Sequence, residues 1–295
     1  MLSHEQVVSD IKALNIQGAT NVALAVLDTL TLTVRNAPET PVTKLKEMAE
    51  ALAYARPTEP LAQNAVRSMF ADAPKTAAAV LGKIATYTTF IRDAKHKIAA
   101  HGAALMQDGA TYLTHCHAST VTNAFLQAHH NGKKLSVIAT ETRPLFQGRL
   151  TVRELINGGI DPVTLIVDSA AASVLADPKR NISAVFIGAD LLTDTGFVNK
   201  IGSLAIVLAA RARNIPVYCF STLLKYDPRP FDQSLIETRN PSEIWNDAPE
   251  KLSIFAPAFD FTPYDKDITI ITEAGLLRGE QIVETARMNY PFISL

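Results

Sequence analysis

A change in hydrophobic pattern at Gly109 constrains the fold of this chain more than any other feature of its 295 residues. Beyond that glycine, short β-branched runs alternate with stretches of helical periodicity. The alternation predicts an α/β fold, with a mostly parallel, Rossmann-like sheet covered by helices on both faces. The expected strands span residues 111–115, 135–140, 163–167, 184–187, 216–220 and 268–271. The expected helices between them span residues 121–130, 151–157, 169–176 and 200–213.

The first part of the chain shows helical periodicity alone, with apolar stripes such as Val7, Ile11 and Leu14. Pro74 is expected to open a long, alanine-rich helix that runs to about Met106. We therefore predict a helical N-terminal domain over residues 1–107 and a Rossmann-like α/β domain over residues 108–295. The second domain is expected to carry the catalytic cleft.

Composition and charge limit the partners of this protein. A net charge of −1 argues against a large nucleic-acid footprint. Two cysteines are too few for a disulfide framework and fit a reducing compartment. The polar N-terminus is unlike a signal peptide, and the apolar runs are too short to span a membrane. We expect a cytoplasmic protein that binds neither membrane nor nucleic acid.

Two reactive side chains stand where predicted strands end, which is where open α/β sheets bind ligands. Cys116 follows the first strand and Asp190 follows the fourth, so a thiol and a carboxyl could act there as general base and general acid. We expect the helix after Cys116, capped by Ser119 or Thr120, to lower the pKa of the thiol. An inert buried cysteine is the alternative, and spacing alone does not separate the two.

Several positions could bind a phosphate, because each offers backbone N–H groups at a helix start or a cation beside a rigid turn. They are Gly18, Ala19, Arg56, Arg143, Arg149, Asn199 and Lys200. Any one of them is more often a cap or a surface charge, but together they favour a phosphorylated ligand. A dinucleotide or Walker-type loop is absent from the sequence. His115 and His117 flank Cys116, yet neighbours on a strand point to opposite faces, so we predict no metal site.

The order and spacing of these motifs resemble one superfamily. It unites the α, β and δ regulatory subunits of initiation factor 2B with methylthioribose-1-phosphate isomerase and ribose-1,5-bisphosphate isomerase. The resemblance rests on Gly18-Ala19, Arg56-Pro57-Thr58, Thr114-His115-Cys116-His117-Ala118-Ser119, Glu141-Thr142-Arg143-Pro144, Gln147-Gly148, Gly188-Ala189-Asp190, Asn199-Lys200-Ile201-Gly202 and residues 257–263.

The resemblance implies an aldose–ketose isomerase, since the isomerases of the superfamily keep the cysteine and the aspartate that the regulatory subunits generally replace. The Thr-His-Cys-His form is closest to the ribose-1,5-bisphosphate branch, which converts that sugar to ribulose 1,5-bisphosphate. Asp190 would be the acid and Cys116 the base, with no cofactor. A methylthioribose-1-phosphate isomerase is one alternative. A non-catalytic regulatory subunit that senses a sugar phosphate or a nucleotide is the other.

The resemblance also implies a set of ligand contacts and a homodimer or higher homo-oligomer. Phosphate would be held by Gly18, Ala19, Arg56, Arg143 and Lys200, sugar hydroxyls by Asn199, and His117 and Gln147 would line the substrate site. One position departs from the pattern, because Gln17 stands where these isomerases usually carry arginine. Glutamine can donate a hydrogen bond to phosphate but brings no charge to it.

Overall fold

The structure, a computed structural model, describes residues 3–294, and within that range the N-terminal part is entirely helical. Its helices are α1 (His4–Lys12), α2 (Ala19–Asn36), α3 (Val42–Ala53), α4 (Pro60–Phe70) and α5 (Ala77–Leu105). Helix α5 begins three residues later than expected, because the hydroxyl of Thr76 accepts a hydrogen bond from the amide of Ala79 and caps the helix there. None of the described helices is long and apolar enough to cross a membrane.

The α/β part begins at β1 and contains two sheets. Its strands are β1 (Thr111–His115), β2 (Ser136–Thr140), β3 (Val163–Ile166), β4 (Ile182–Gly188), β5 (Leu191–Leu192), β6 (Gly196–Lys200), β7 (Val217–Phe220), β8 (Phe259–Pro263), β9 (Ile268–Thr272) and β10 (Gly275–Leu277). Its helices are α6 (Ser119–His130), α7 (Gly148–Asn157), α8 (Ala171–Ala176), α9 (Ser203–Arg211) and α10 (Ile282–Asn289).

The large sheet has the strand order β10-β9-β7-β4-β1-β2-β3, and every pair in it is parallel except β9 with β10. The predicted parallel sheet is therefore confirmed, and all six expected strands belong to it. Alternate residues of each central strand face opposite cores. In β4, for example, Val185 and Ile187 enter one core cluster while Ala184 and Phe186 enter the other. Both faces are covered, which is why these strands read as continuous apolar runs.

Helix α5 contributes to both of these cores. Its first half packs in the core that joins the N-terminal helices to one face of the sheet, and its second half packs in the core of the other face. The residues concerned are Ala77, Val80, Ile84, Tyr87 and Ile91 for the first core, and Ala94, Ile98 and Ala103 for the second. The division of the chain at residue 107 stays a prediction.

A second, antiparallel sheet of β5, β6 and β8 was not expected from the sequence. We predicted that Asn199 and Lys200 open a helix, and this is wrong, because both lie in β6. They pair there with Asp260 and Phe259 of β8. The partner strand lies about sixty residues away in the sequence, so no local pattern indicates the pairing.

The contact between α5 and α6 supplies a test of the packing. A Cβ added at Gly102 would stand 2.3 Å from Cε1 of Phe220 and 2.8 Å from Cβ of Ala124, whereas one added at Gly82 of the same helix meets nothing within 4 Å. We expect Gly102→Ala to lower the free energy of unfolding by about 1–3 kcal/mol through overpacking. Gly82→Ala should raise it by about 0.5–1 kcal/mol, because alanine favours the helix. Urea unfolding of both variants is the measurement, and equal effects would contradict the packing described.

Candidate active site

Cys116 and Asp190 follow two strands that are neighbours at the centre of the large sheet. Strand β1 pairs with β4 on one side and with β2 on the other, so the strand order reverses direction between β1 and β4. Ligands of open α/β sheets bind outside the carboxyl ends of the strands at such a switch point. Cys116 comes directly after β1, and Asp190 comes two residues after β4. The fold thus carries the thiol and the carboxyl to adjacent strand ends.

Three reactive groups near this point form no hydrogen bond or ion pair with another described side chain. Within residues 3–294, the carboxyl of Asp190 makes no hydrogen bond or ion pair, and the thiol of Cys116 interacts only with the backbone amide of His117. The ammonium of Lys200 has no carboxylate at ion-pair distance among the same residues and lies 4.6 Å from the centre of the Phe259 ring.

The charges around Cys116 act on its thiol. Burial raises the pKa of the thiol to about 11, the positive charge of Lys200 opposes that rise, and the carboxylates of Asp190 and Asp168 add to it. The expected lowering of this pKa by the following helix is wrong, because desolvation outweighs the helix end. Neither Ser119 nor Thr120 caps α6, whose N-cap position is Ala118.

Arg56 is buried between two carboxylates. Its Nη1 donates to Oε1 of Glu59 at 2.6 Å, and its Nε and Nη2 each donate to Glu237 at 3.0 Å. The hydroxyl of Thr58 donates a further hydrogen bond to Glu237 at 2.8 Å. The charge of Arg56 is therefore offset within the protein, and a phosphate that bound here would compete with both carboxylates. Its role in phosphate binding stays a prediction.

Glu59 and Glu237 were not foreseen from the sequence. Glu59 stands between Pro57 and Pro60, three residues after Arg56, and an ionisable residue so close to a buried arginine is a local signal that could have indicated it. Glu237 is 181 residues from Arg56 and gives no such signal. Burial raises the pKa of Glu59 to about 7, the Arg56 charge opposes the rise, and the Asp190 charge adds to it. Glu59 is thus within electrostatic reach of Asp190.

The N-terminus of α9 is already occupied by a carboxylate of the protein. Asp260 accepts hydrogen bonds from the amides of Gly202 at 2.7 Å and Leu204 at 3.2 Å. Burial raises the pKa of Asp260 to about 6, although these amides act in the opposite direction. The helix end that the sequence offered as a phosphate site therefore holds an internal anion. Lys200, just ahead of it, forms no ion pair with any carboxylate that the structure describes.

The arginines after β2 are held by neighbouring groups. The backbone amides of Thr142 and Arg143 donate to the carboxylate of Asp168 at 2.7 and 2.6 Å, and this fixes the turn. The guanidinium of Arg143 donates at 3.3 Å to the carbonyl of residue 243, and it lies 4.9 Å from the centre of the Phe146 ring. Arg149 covers the same ring at 3.7 Å and lies 3.4 Å from Glu141.

Four further residues of the predicted site have these positions. Gly18 precedes α2 with a φ of 86°, Ala19 begins that helix, and its first turn carries no acidic side chain, so its amides stay open to an anion. Oε1 of Gln147 is buried without a hydrogen-bond partner in the described part of the chain. Asn199 donates through Nδ2 to Oγ of Ser203 at 2.8 Å. For all of these residues a role in binding stays a prediction.

The fold is that of an α/β protein with Cys116 and Asp190 at the switch point of its parallel sheet. The chain belongs to the initiation factor 2 subunit family, whose model matches residues 15–279. Ribose 1,5-bisphosphate isomerase of Archaeoglobus fulgidus is 33% identical to it, over 95% of this chain and 92% of that protein. 5-Deoxyribose 1-phosphate isomerase of Moorella thermoacetica is 36% identical, over 93% of this chain and 86% of that protein.

Solved structures show the same fold. The translation initiation factor eIF-2B of Pyrococcus horikoshii OT3 superposes with a TM-score of 0.81 at 25% identity, over 93% of this chain and 96% of that chain. The 5-methylthioribose 1-phosphate isomerase of the same organism superposes with a TM-score of 0.78 at 24% identity, over 97% of this chain and 88% of that chain. A translation initiation factor and an isomerase therefore share this architecture, and the fold alone does not separate the two functions.

The buried carboxyl of Glu59 makes stability depend on pH. Its pKa of about 7 in the folded protein exceeds the ordinary value of 4.5, so between these values the folded state keeps a proton that the unfolded chain releases. The contribution of Glu59 to the free energy of unfolding is therefore largest below about pH 4.5 and is lost as pH rises to about 7, by an amount on the order of 3 kcal/mol.

Urea unfolding of the wild type and Glu59→Gln between about pH 5 and pH 8 measures this effect. We expect the wild type to lose stability relative to the variant as pH rises through this window, and the difference to level off above about pH 7. Curves that stay parallel across the window would show that Glu59 does not titrate as described.

Proposed function

We propose that this chain is an aldose–ketose isomerase of a sugar 1-phosphate, with Cys116 and Asp190 as its catalytic residues. The observation that carries the proposal is the placement of a thiol and a carboxyl at neighbouring strand ends of the switch point, near Lys200, which no carboxylate of residues 3–294 pairs. The relatives named above are isomerases of sugar phosphates and cover more than nine-tenths of this chain.

The chemistry needs one acid and one base. A sugar phosphorylated at C1 has no free anomeric hydroxyl, so its ring opens only when the ring oxygen is protonated as the bond from C1 to that oxygen breaks. Asp190 donates that proton. Cys116 then removes the hydrogen of C2 as a proton, and its electron pair forms a double bond between C1 and C2.

The second half of the reaction returns both protons. The proton of the C2 hydroxyl passes back to Asp190 as the ketone forms at C2, and Cys116 delivers its proton to C1. The product is the ketose 1-phosphate, and no atom or electron is gained or lost. Because burial disfavours the thiolate, the ammonium of Lys200 would stabilise it during turnover.

Ribose 1,5-bisphosphate is the substrate we place first, since it is named for the Archaeoglobus relative, with ribulose 1,5-bisphosphate as product. Methylthioribose 1-phosphate and 5-deoxyribose 1-phosphate are the other candidates, because both are named for further relatives. These sugars differ at C5, where only the first carries a second phosphate. The uncharged Gln17 bears on that difference, since a second phosphate would gain no cation from it.

Turnover of the three sugar phosphates tests the proposal. The wild type should isomerise at least one of them, and Cys116→Ser and Asp190→Asn should each lower kcat by at least about 10²-fold through loss of acid–base catalysis. Cys219→Ala removes the other thiol of the chain, which is buried in β7, and should keep kcat within about threefold of wild type. A wild type inactive on all three, or an undiminished Cys116→Ser, would overturn the assignment.

A regulatory subunit related to initiation factor 2B is the second candidate, and the superposition on the Pyrococcus eIF-2B favours it. Such a subunit would bind a sugar phosphate or a nucleotide without converting it. Purification from native extract separates the two. A complex with initiation-factor subunits favours regulation, whereas a homo-oligomer with turnover favours the isomerase.

A further inference from the structure

The backbone at Cys116 adopts an unusual conformation that the surrounding side chains hold in place. Its φ of 66° lies in the left-handed region, which residues with a Cβ seldom occupy and which persists only where neighbouring groups impose it. The amide of Cys116 donates to Oγ1 of Thr142 at 3.0 Å, and its carbonyl accepts from Oγ1 of Thr151 at 2.9 Å. The backbone amide and the backbone carbonyl of Cys116 are therefore both hydrogen-bonded to threonine hydroxyls from other parts of the chain.

A directional chain of hydrogen bonds stands behind Thr142. Nε2 of His115 lies 2.9 Å from the carbonyl of Ile201, which can only accept, so the proton of the neutral ring is on Nε2. Burial lowers the pKa of His115, which keeps the ring neutral. Nδ1 then accepts from Oγ1 of Thr140 at 2.6 Å, so the single hydroxyl proton of Thr142 is donated to Thr140, whose Oγ1 lies at 3.3 Å and whose carbonyl oxygen lies at 3.4 Å. With its proton donated to Thr140, the Thr142 hydroxyl oxygen accepts the hydrogen bond from the Cys116 amide.

The hydrogen bonds around Thr151, on the carbonyl side of Cys116, also fix the direction of its hydroxyl group. Its single hydroxyl proton goes to the carbonyl of Cys116, so its oxygen accepts from Nδ1 of His117 at 3.1 Å. Nε2 of His117 faces Glu154 at 3.9 Å. The two histidines that flank Cys116 in the sequence thus act on it through one threonine each.

We propose that Thr142 and Thr151 are positioning residues that hold the peptide groups on both sides of Cys116 and so aim its thiol into the crevice. Thr140, His115 and His117 set the direction of their hydroxyl bonds. Thr142 is fully buried and only about 1% of Thr151 is exposed, which keeps water from replacing either hydroxyl. The proposal rests on Cys116 as the reacting group of the proposed function, since an error in its position would slow proton transfer more than it weakens binding.

Valine and serine variants separate the hydroxyl from the bulk of the side chain. Thr142→Val and Thr151→Val should each lower kcat by about 10-fold or more while KM changes less than about threefold. The alkylation rate of Cys116 by iodoacetamide, followed by peptide mass spectrometry, should rise at least about threefold in both, because the thiol is less confined. Thr142→Ser and Thr151→Ser keep the hydroxyl and should restore both values to within about threefold of wild type.

Thr193→Val is the matched control. The Thr193 hydroxyl is also buried and accepts from a backbone amide, that of Gly196 at 3.0 Å, but it lies in the turn between β5 and β6. This variant should lose comparable stability and leave kcat and alkylation unchanged. Should a valine variant not fold, His117→Ala, at a half-buried position, takes its place with the same expected direction in alkylation.

Because alkylation does not depend on the substrate, the experiment can disprove the positioning proposal and the proposed function independently of each other. Wild-type alkylation in both valine variants would overturn the positioning role even if turnover is found. Altered alkylation in a protein that turns over no sugar phosphate would support the positioning and remove the proposed reaction.

Discussion

The pairing of β1 with β4 is the constraint on which the rest of the site depends. These two strands lie next to each other in the sheet although about seventy residues separate them. Strands β2 and β3 continue the sheet beyond β1, and β7, β9 and β10 continue it beyond β4. Their shared register brings His115 opposite Ile187, so the residues that follow both strands lie at the same edge of the sheet. Lys200 on the small sheet and Thr142 on the turn after β2 act on Cys116, and Glu59 ahead of α4 is within electrostatic reach of Asp190.

The electrostatics of the crevice are set by which charges the protein neutralises itself. Glu59 and Glu237 offset Arg56, and Asp260 fills the start of α9. Lys200 is the cation near Cys116 that no described carboxylate pairs. A phosphate bound near Cys116 would meet one positive charge that no described carboxylate offsets, whereas a phosphate at Arg56 would have to displace internal carboxylates.

The sequence revealed the parts of the structure whose cause is local. Continuous β-branched runs located the central strands because both faces of the sheet are buried, and the end of each run located Cys116 and Asp190. Strand β6 was missed because its pairing with β8 is distant in sequence, and Lys200 was therefore assigned to a helix. The pKa of Cys116 was misjudged for a related reason, since burial is a property of the assembled protein and not of the helix that follows the cysteine. The contacts of Arg56 with Glu237 and of Cys116 with Thr142 likewise join distant segments, so spacing could not show them.

Helix α5 couples the stability of the N-terminal helices to that of the large sheet. Its 29 residues extend roughly 44 Å, and this one helix packs in two separate hydrophobic cores. Loosening the packing around Val80 or Ile84 would tilt the rod and open the contact of Gly102 with Phe220 at its other end. We therefore expect the N-terminal helices and the sheet to unfold together. A destabilising substitution among the first ninety residues should then also destabilise the strands that precede Cys116 and Asp190.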